Sequence, residues 1–169
     1  MSQQAAPWTD DISGPKTAGI MLEIALYQPD IAANAGTIAR LCACFGLPLT
    51  IIEPAGFLWT DSAFKRAAMD YLAKVDVRRA TSWANFQQDN QDRRIILLTT
   101  KATTNHCDFI FQPEDILLFG RESAGVPEHV HATCERLRIP MQASARSLNV
   151  AMAAAIVTGE AMRQLKLFA

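Results

Sequence analysis

The residues able to do chemistry in this chain fall into three short stretches built from small residues and a few fixed donors. The first is Pro29-x4-Asn34-x-Gly36-x3-Arg40. On a helix, Gly36 and Arg40 lie one turn apart and face away from the apolar positions Ile38, Leu41, Cys42 and Phe45. Gly36 would leave room for a close approach, and Arg40 would offer a fixed cation with a fork of donors. A solvated Arg40 and an Asn34 that only caps the helix have the same spacing. The second stretch is Gly120-Arg121-Glu122-Ser123-Ala124-Gly125. A glycine at a strand end lets backbone groups reach a ligand's polar edges, and an ordinary tight turn would also place one there. The third is Arg146-Ser147-Leu148-Asn149-Val150, which opens the last helix. Ser147 can cap that helix, while its free N–H groups and Asn149 would point at whatever lies at the strand ends.

Better-known chemistries find no foothold. The glycines around Gly120 are misplaced for G-x-G-x-x-G, and no Gly-Lys-Ser/Thr occurs anywhere. Ser123 is not in a nucleophile elbow, because Arg121 stands where the first glycine should be. His106, His129 and His131 carry no Cys–His signature, and no ligand cluster has metal spacing. Cys42, Cys44, Cys107 and Cys134 form neither a zinc pattern nor a disulfide framework, so free thiols in a reducing cytoplasm are expected.

The elements that must position these stretches alternate between strand and helix. Leu22 to Tyr27 is a strand; Gln28 to Ala33 is a loop, and Asn34 is a candidate N-cap for a helix ending at Gly46. Leu49 to Glu53 is a second strand, Asp61 to Lys74 a helix, and Val75 to Arg79 an edge strand. Ser82 can cap a helix running to about Asn90; Ile95 to Thr100 is an apolar, β-branched strand, followed by a polar loop to about Pro113. Ile116 to Phe119 and Leu137 to Pro140 are short strands that run into the two Gly- or Ser-rich loops. The result is an α/β fold, a mostly parallel sheet with helices on both faces. Strand ends that break into such loops are where open α/β sheets bind ligands. The last helix is Ala-rich and apolar nearly all round from Val150 to Val157, so it should be buried on more than one side, against the sheet or a second subunit.

At 169 residues the chain is expected to be one domain, residues 21–169, behind a flexible tail at 1–20 that lacks a basic-then-apolar signal pattern. No apolar run approaches the roughly 20 residues of a membrane span. A net charge of −1 gives no whole-molecule pull toward nucleic acid, so RNA would have to be held by a local basic patch.

Together the three stretches resemble the motifs of the SPOUT class of RNA methyltransferases, and the chain is most similar to the small TrmL-type tRNA 2′-O-methyltransferases. The likeness runs from Met21 to about Leu165 and rests on Pro29-x4-Asn34-x-Gly36-x3-Arg40, on Leu117-Leu118-Phe119-Gly120-Arg121-Glu122-Ser123-x-Gly125-x-Pro127, and on Ile139-Pro140-Met141 followed by Arg146-Ser147-Leu148-Asn149-Val150. Ile52-Glu53-Pro54-x-Gly56-Phe57 and Lys65-Arg66-Ala67-x2-Asp70-Tyr71 point to the wobble-nucleotide type.

The resemblance implies a deep C-terminal trefoil knot, a cytoplasmic homodimer with its active site across the interface, and S-adenosylmethionine as the cofactor without a metal. It implies cofactor contacts at Leu98, Thr99, Gly120, Glu122, Ile139, Ser147 and Leu148, with Arg40 catalytic and Asn34 and Asn149 shaping the site. The substrate implied is tRNA, with no DNA or membrane partner, methylated on the wobble ribose of cytidine or a modified uridine, leucine tRNAs included. Arginine is normally fully protonated, so orienting the hydroxyl and steadying developing charge suits Arg40 better than acting as a base. Lys65, Arg66 and Tyr71 are the expected anticodon-loop contacts, by charge and by stacking; for Lys65 and Arg66 a solvated helix face is the alternative. Arg121 stands where some members carry proline and is a further candidate for a phosphate contact. Another tRNA or rRNA position, or a nonenzymatic nucleotide- or RNA-binding module, are the competing functions.

Overall fold

The computed structural model describes residues 21–58 and 61–168; the expected 1–20 tail lies outside them. Among the described residues seven strands form one sheet: β1 (Glu23–Tyr27), β2 (Leu49–Ile52), β3 (Val77–Ala80), β4 (Ile95–Leu98), β5 (Thr104–Asn105), β6 (Ile116–Phe119) and β7 (Glu135–Arg138). Their order is β3-β2-β1-β6-β4-β7-β5, and every pairing is parallel. The helices are α1 (Ala32–Phe45), α2 (Ser62–Ala68), α3 (Trp83–Asp89), α4 (Glu128–His131) and α5 (Val150–Leu165).

The central strands are buried along their whole length, because each face of the sheet is covered. Ile24 and Leu26 of β1 enter one core with α1, α2 and α5, while Ala25 and Tyr27 enter the other with α3 and Val130 of α4. The two cores follow from the two-residue period of a strand.

The N-terminal edge of the sheet is closed by ion pairs. Buried Glu23 accepts from the Thr50 hydroxyl at 2.6 Å and pairs with Arg93. Buried Asp115 takes both Nε and Nη2 of Arg94 at 2.7 Å, and Oδ2 also takes the Gln112 amide at 2.8 Å. Full pairing is what permits a carboxylate to be buried at all. The opposite, C-terminal edge stays open.

Several local expectations shift. Ile31, not Asn34, is the N-cap position of α1, with no side-chain cap bond, which leaves the Asn34 amide for other partners. Asn149, not Ser147, caps α5, accepting from the Ala151 and Met152 amides at 2.9 and 3.4 Å; α5 therefore starts at Val150 rather than Leu148. The expected Asp61–Lys74 helix breaks at Met69, whose φ of 55° departs from helical geometry, and continues as a 3-10 helix over Met69–Lys74. The loop leading to Pro113 contains β5 and a short 3-10 turn, His106–Asp108. α4 was not expected, since four residues carry too little periodicity to read. Ser82 caps α3 as expected, accepting from the Asn85 amide at 3.1 Å, and β3 is the edge strand.

Gly36 serves helix packing rather than a ligand. A Cβ placed there would lie 2.4 Å from the Phe64 carbonyl oxygen and 2.8 Å from the Ala67 Cβ, so its absence is what lets α1 and α2 touch.

Candidate functional site

At the open edge, the chain leaving β4, β6 and β7 and the entry to α5 enclose a cleft of about 430 Å³. That volume lies in the small-molecule range. Its lining is apolar where the strands end, at Leu98, Phe119 and Ile139, and at Leu148 before α5, and polar at Thr99, Glu122 and Ser147. Every position expected to hold a cofactor lines it: Leu98, Thr99, Gly120, Glu122, Ile139, Ser147 and Leu148. So do Asn34, Asn149 and Arg121.

Gly120 is glycine because the chain doubles back on it. A Cβ there would meet Gly125 backbone atoms at 2.7 and 2.9 Å. The turn between them is closed by two backbone bonds, Arg121 N to Gly125 O at 3.0 Å and Gly125 N to Arg121 O at 2.8 Å.

One hydrogen-bonded line joins the three stretches. Glu122 accepts from Asn34 Nδ2 at 3.0 Å through Oε1 and from the Asp30 amide at 2.8 Å through Oε2. Asn34 Oδ1 in turn accepts from Asn149 Nδ2 at 3.0 Å.

A second set of contacts grips the same turn. The Arg121 guanidinium donates to Asp30 Oδ1 from Nε at 3.1 Å and from Nη2 at 2.6 Å. Ser123 donates to Asp30 Oδ2 from its amide at 3.1 Å and from its hydroxyl at 2.6 Å. The Arg121 hydrogen bond, then that of the Ser123 hydroxyl, holds the Asp30 carboxyl well below the usual carboxylate range, at about 2. Asp30 is the site residue that sequence reasoning missed, because an acid in a loop after a strand looks like a solvated one.

Arg40, Lys65, Arg66 and Tyr71 do not line the cleft. Arg40 is exposed on α1, with Nη1 donating to the Met69 sulfur at 3.2 Å and its guanidinium carbon 5.3 Å from the Tyr71 ring centre. Lys74 Nζ lies 5.2 Å from the same ring. Lys65 and Arg66 are exposed on α2. Asn34 and Arg40 share α1, so the helix carries one residue at the cleft and the other roughly 9 Å further along its axis. The structure thus gathers the expected cofactor positions into one cleft and the expected catalytic and RNA-contacting side chains into a separate cationic and aromatic face. Among the described residues no group of three or more His, Cys, Asp or Glu is placed to hold a metal ion.

Comparison with known proteins adds to this geometry. The family model described as the SpoU rRNA methylase family matches residues 21–159. A Beijerinckia indica protein named tRNA (cytidine(34)-2′-O)-methyltransferase is 56% identical over 145 residues, which is 84% of this chain and 91% of that protein. An Escherichia coli K12 protein of the same name is 40% identical over 148 residues, 86% of this chain and 94% of its own. A chain solved in a study of the 2-OH methylation of C/U34 on tRNA superposes with a TM-score of 0.84 at 41% identity, covering 88% of this chain and 99% of that one. AviRb from Streptomyces viridochromogenes, a SpoU methyltransferase solved with AdoMet, shares the fold at a TM-score of 0.83 and 24% identity, over 94% of this chain and 63% of that one.

Proposed function

The chain belongs to the SpoU rRNA methylase family, and on that premise we propose that it methylates the ribose 2′-hydroxyl of the wobble nucleotide of tRNA, using S-adenosylmethionine. The observation that carries this reading is the single cleft into which Leu98, Gly120, Ile139 and Ser147 converge beside Asn34 and Asn149. The substrate class follows from the relatives named for cytidine 34, which are similar to this chain over nearly their whole length.

The cleft fits the cofactor. It has small-molecule size, apolar strand ends against which an adenine ring can lie, and a carboxylate, Glu122, in its lining where a cationic ligand is favoured. Leu98, Thr99, Gly120, Ile139, Ser147 and Leu148 would hold it. Bound there, it supplies an electrophilic methyl group on a sulfonium.

The protein's part is to place a ribose hydroxyl in line with that methyl and to ease loss of its proton to water. Arg40 orients the hydroxyl and steadies the negative charge that develops on its oxygen. Asn34 and Asn149, fixed to one another, set the shape of the cleft where the two substrates meet. Lys65 and Arg66 supply phosphate contacts and Tyr71 a stacking surface for an unpaired anticodon base.

Arg40 stands outside the cleft of its own chain, which supports a homodimer in which one protomer's Arg40 serves its partner's cleft. Met152 and Ile156 leave α5 partly exposed (59% and 40%), an apolar surface suited to that contact. The C-terminal trefoil threading belongs to the same reading. It is supported by the insertion of β6 between β1 and β4 and by the return of α5 onto α1. Cytidine and modified uridine at the wobble position of leucine tRNAs are the substrates we infer, in a cytoplasmic setting.

The test is transfer of labelled methyl from S-adenosylmethionine to bulk tRNA, with the product mapped by nucleotide. Label in a 2′-O-methylated wobble nucleotide supports the reading. Label at another position discards the wobble assignment, and absence of both transfer and cofactor binding discards the enzyme.

A further inference from the structure

We propose that Asp30 is a positioning residue: through Arg121 and Ser123 it fixes the Gly120–Gly125 turn in the shape that receives the cofactor. The inference rests on the functional reading above and names a residue that itself lies outside the cleft lining.

The geometry is that of a grip on three successive residues. Oδ1 of Asp30 takes two donors of Arg121, and Oδ2 takes the amide and the hydroxyl of Ser123. Between them, Glu122 accepts the Asp30 backbone amide. Arg121, Glu122 and Ser123 are thereby all tied to one position of the β1–α1 loop. That loop is anchored in its turn, since Pro29 O accepts from the Gly56 amide at 2.8 Å.

The turn needs such a grip. Its own closure consists of the backbone pair between Arg121 and Gly125, and it is framed by two glycines, which carry more backbone freedom than any other residue. A cleft held by backbone groups binds well only when those groups are already in place, because ordering them on binding subtracts from affinity. The charge-assisted bonds of Asp30 supply that order beforehand. They also turn the Nε and Nη2 side of the Arg121 guanidinium toward the carboxylate.

The experiment compares wild type with Asp30→Ala, Asp30→Glu, Arg121→Gln and the Asp30→Ala/Arg121→Gln double variant. Ser123 amide exchange is followed by NMR without ligand, S-adenosylmethionine binding by calorimetry, and methyl transfer by kinetics. Asp30→Ala is expected to speed Ser123 exchange and to raise both Kd and KM for S-adenosylmethionine about tenfold, with kcat at saturation within about threefold of wild type. Asp30→Glu should regain part of the affinity. The double variant should bind no more weakly than the worse single one, because Arg121 holds the turn through Asp30, whose carboxylate Asp30→Ala already removes. Unchanged cofactor affinity in Asp30→Ala overturns the inference, as does an equal fall of affinity, kcat and melting temperature in every variant, which would mark a merely structural contact. Wild type that fails to bind S-adenosylmethionine overturns the functional reading and this inference with it. Wild type that binds while Asp30→Ala binds equally removes the inference alone.

Discussion

The side-chain amide of Asn149 donates to the side-chain carbonyl of Asn34 at 3.0 Å, joining residues 115 positions apart in the chain. Its polarity is dictated from both ends. Glu122 only accepts, so it must face Asn34 Nδ2, which leaves Asn34 Oδ1 for Asn149. The Ala151 and Met152 amides only donate, so they must face Asn149 Oδ1, which leaves its Nδ2 for Asn34. Asn149→Asp keeps the α5 cap but sets a carboxylate oxygen against Asn34 Oδ1, and turning Asn34 over would set that oxygen against Glu122. An unsatisfied polar contact of this kind costs about 1–3 kcal/mol. Methyl transfer should therefore fall roughly tenfold or more, while the cap and overall helix content, measured by circular dichroism, are retained. Wild-type activity in Asn149→Asp would show that the relay has no catalytic weight.

Arg40 and the cleft are separable in this structure, and their variants should be separable too. Arg40→Ala removes the guanidinium held by Met69 and Tyr71 without touching a lining residue. S-adenosylmethionine affinity is expected to stay within about twofold, since no lining contact is removed. Turnover should drop by roughly a hundredfold or more, the scale on which single transition-state contacts act. Isothermal titration and single-turnover transfer on the same preparation distinguish the two effects. Loss of cofactor binding in Arg40→Ala would place Arg40 in the cofactor site instead.

Much of this was legible in the sequence, for reasons that individual residues make plain. Ile116-Leu117-Leu118-Phe119 reads as a buried strand because both of its faces are covered, and Gly120 marks its end because the returning Gly125 backbone excludes a side chain. The expected cofactor positions came from motif resemblance, and they line one cleft because parallel strands deliver their C-terminal ends to one edge. What could not be read was which polar side chains find each other. Asn34 and Asn149 have the composition of helix caps, but only Asn149 is one; no spacing rule tells that Glu122 claims the Asn34 amide from 88 residues away. The break at Met69 was hidden for a related reason. Ala67, Ala68 and Leu72 around it are good helix formers, and nothing in local propensity marks the departure at φ 55°.

Gly36 gives a prediction about stability alone. An added methyl group would fall 2.4 Å from the Phe64 carbonyl oxygen, a backbone atom that cannot swing aside. Forcing α1 and α2 apart should cost about 1–3 kcal/mol, or roughly 2–12 °C in melting temperature for a domain of this size. Gly36→Ala should melt lower even though alanine is the better helix former. A variant that melts at or above wild type would mean the two helices can part without penalty.

Acid should weaken the protein through two carboxylates outside the core. Asp30 is held at about 2 by Arg121 and then the Ser123 hydroxyl, and Glu160 at about 2 by Arg163 and then Gln164. Both values lie below the roughly 4 of an unfolded carboxylate. A group depressed in this way binds its proton more readily in the unfolded chain, so its contribution is complete above about pH 5 and is lost as pH falls toward 2. Asp30 and Glu160 should consequently add no pH dependence to the melting temperature between pH 5 and 8, and should make it decline below that. Asp30→Asn and Glu160→Gln, each melted across pH 2 to 8, should lower the neutral plateau slightly and shallow the acid decline. An acid decline as steep in both variants as in wild type would mean that these pairs, well formed as they are, do not couple to folding.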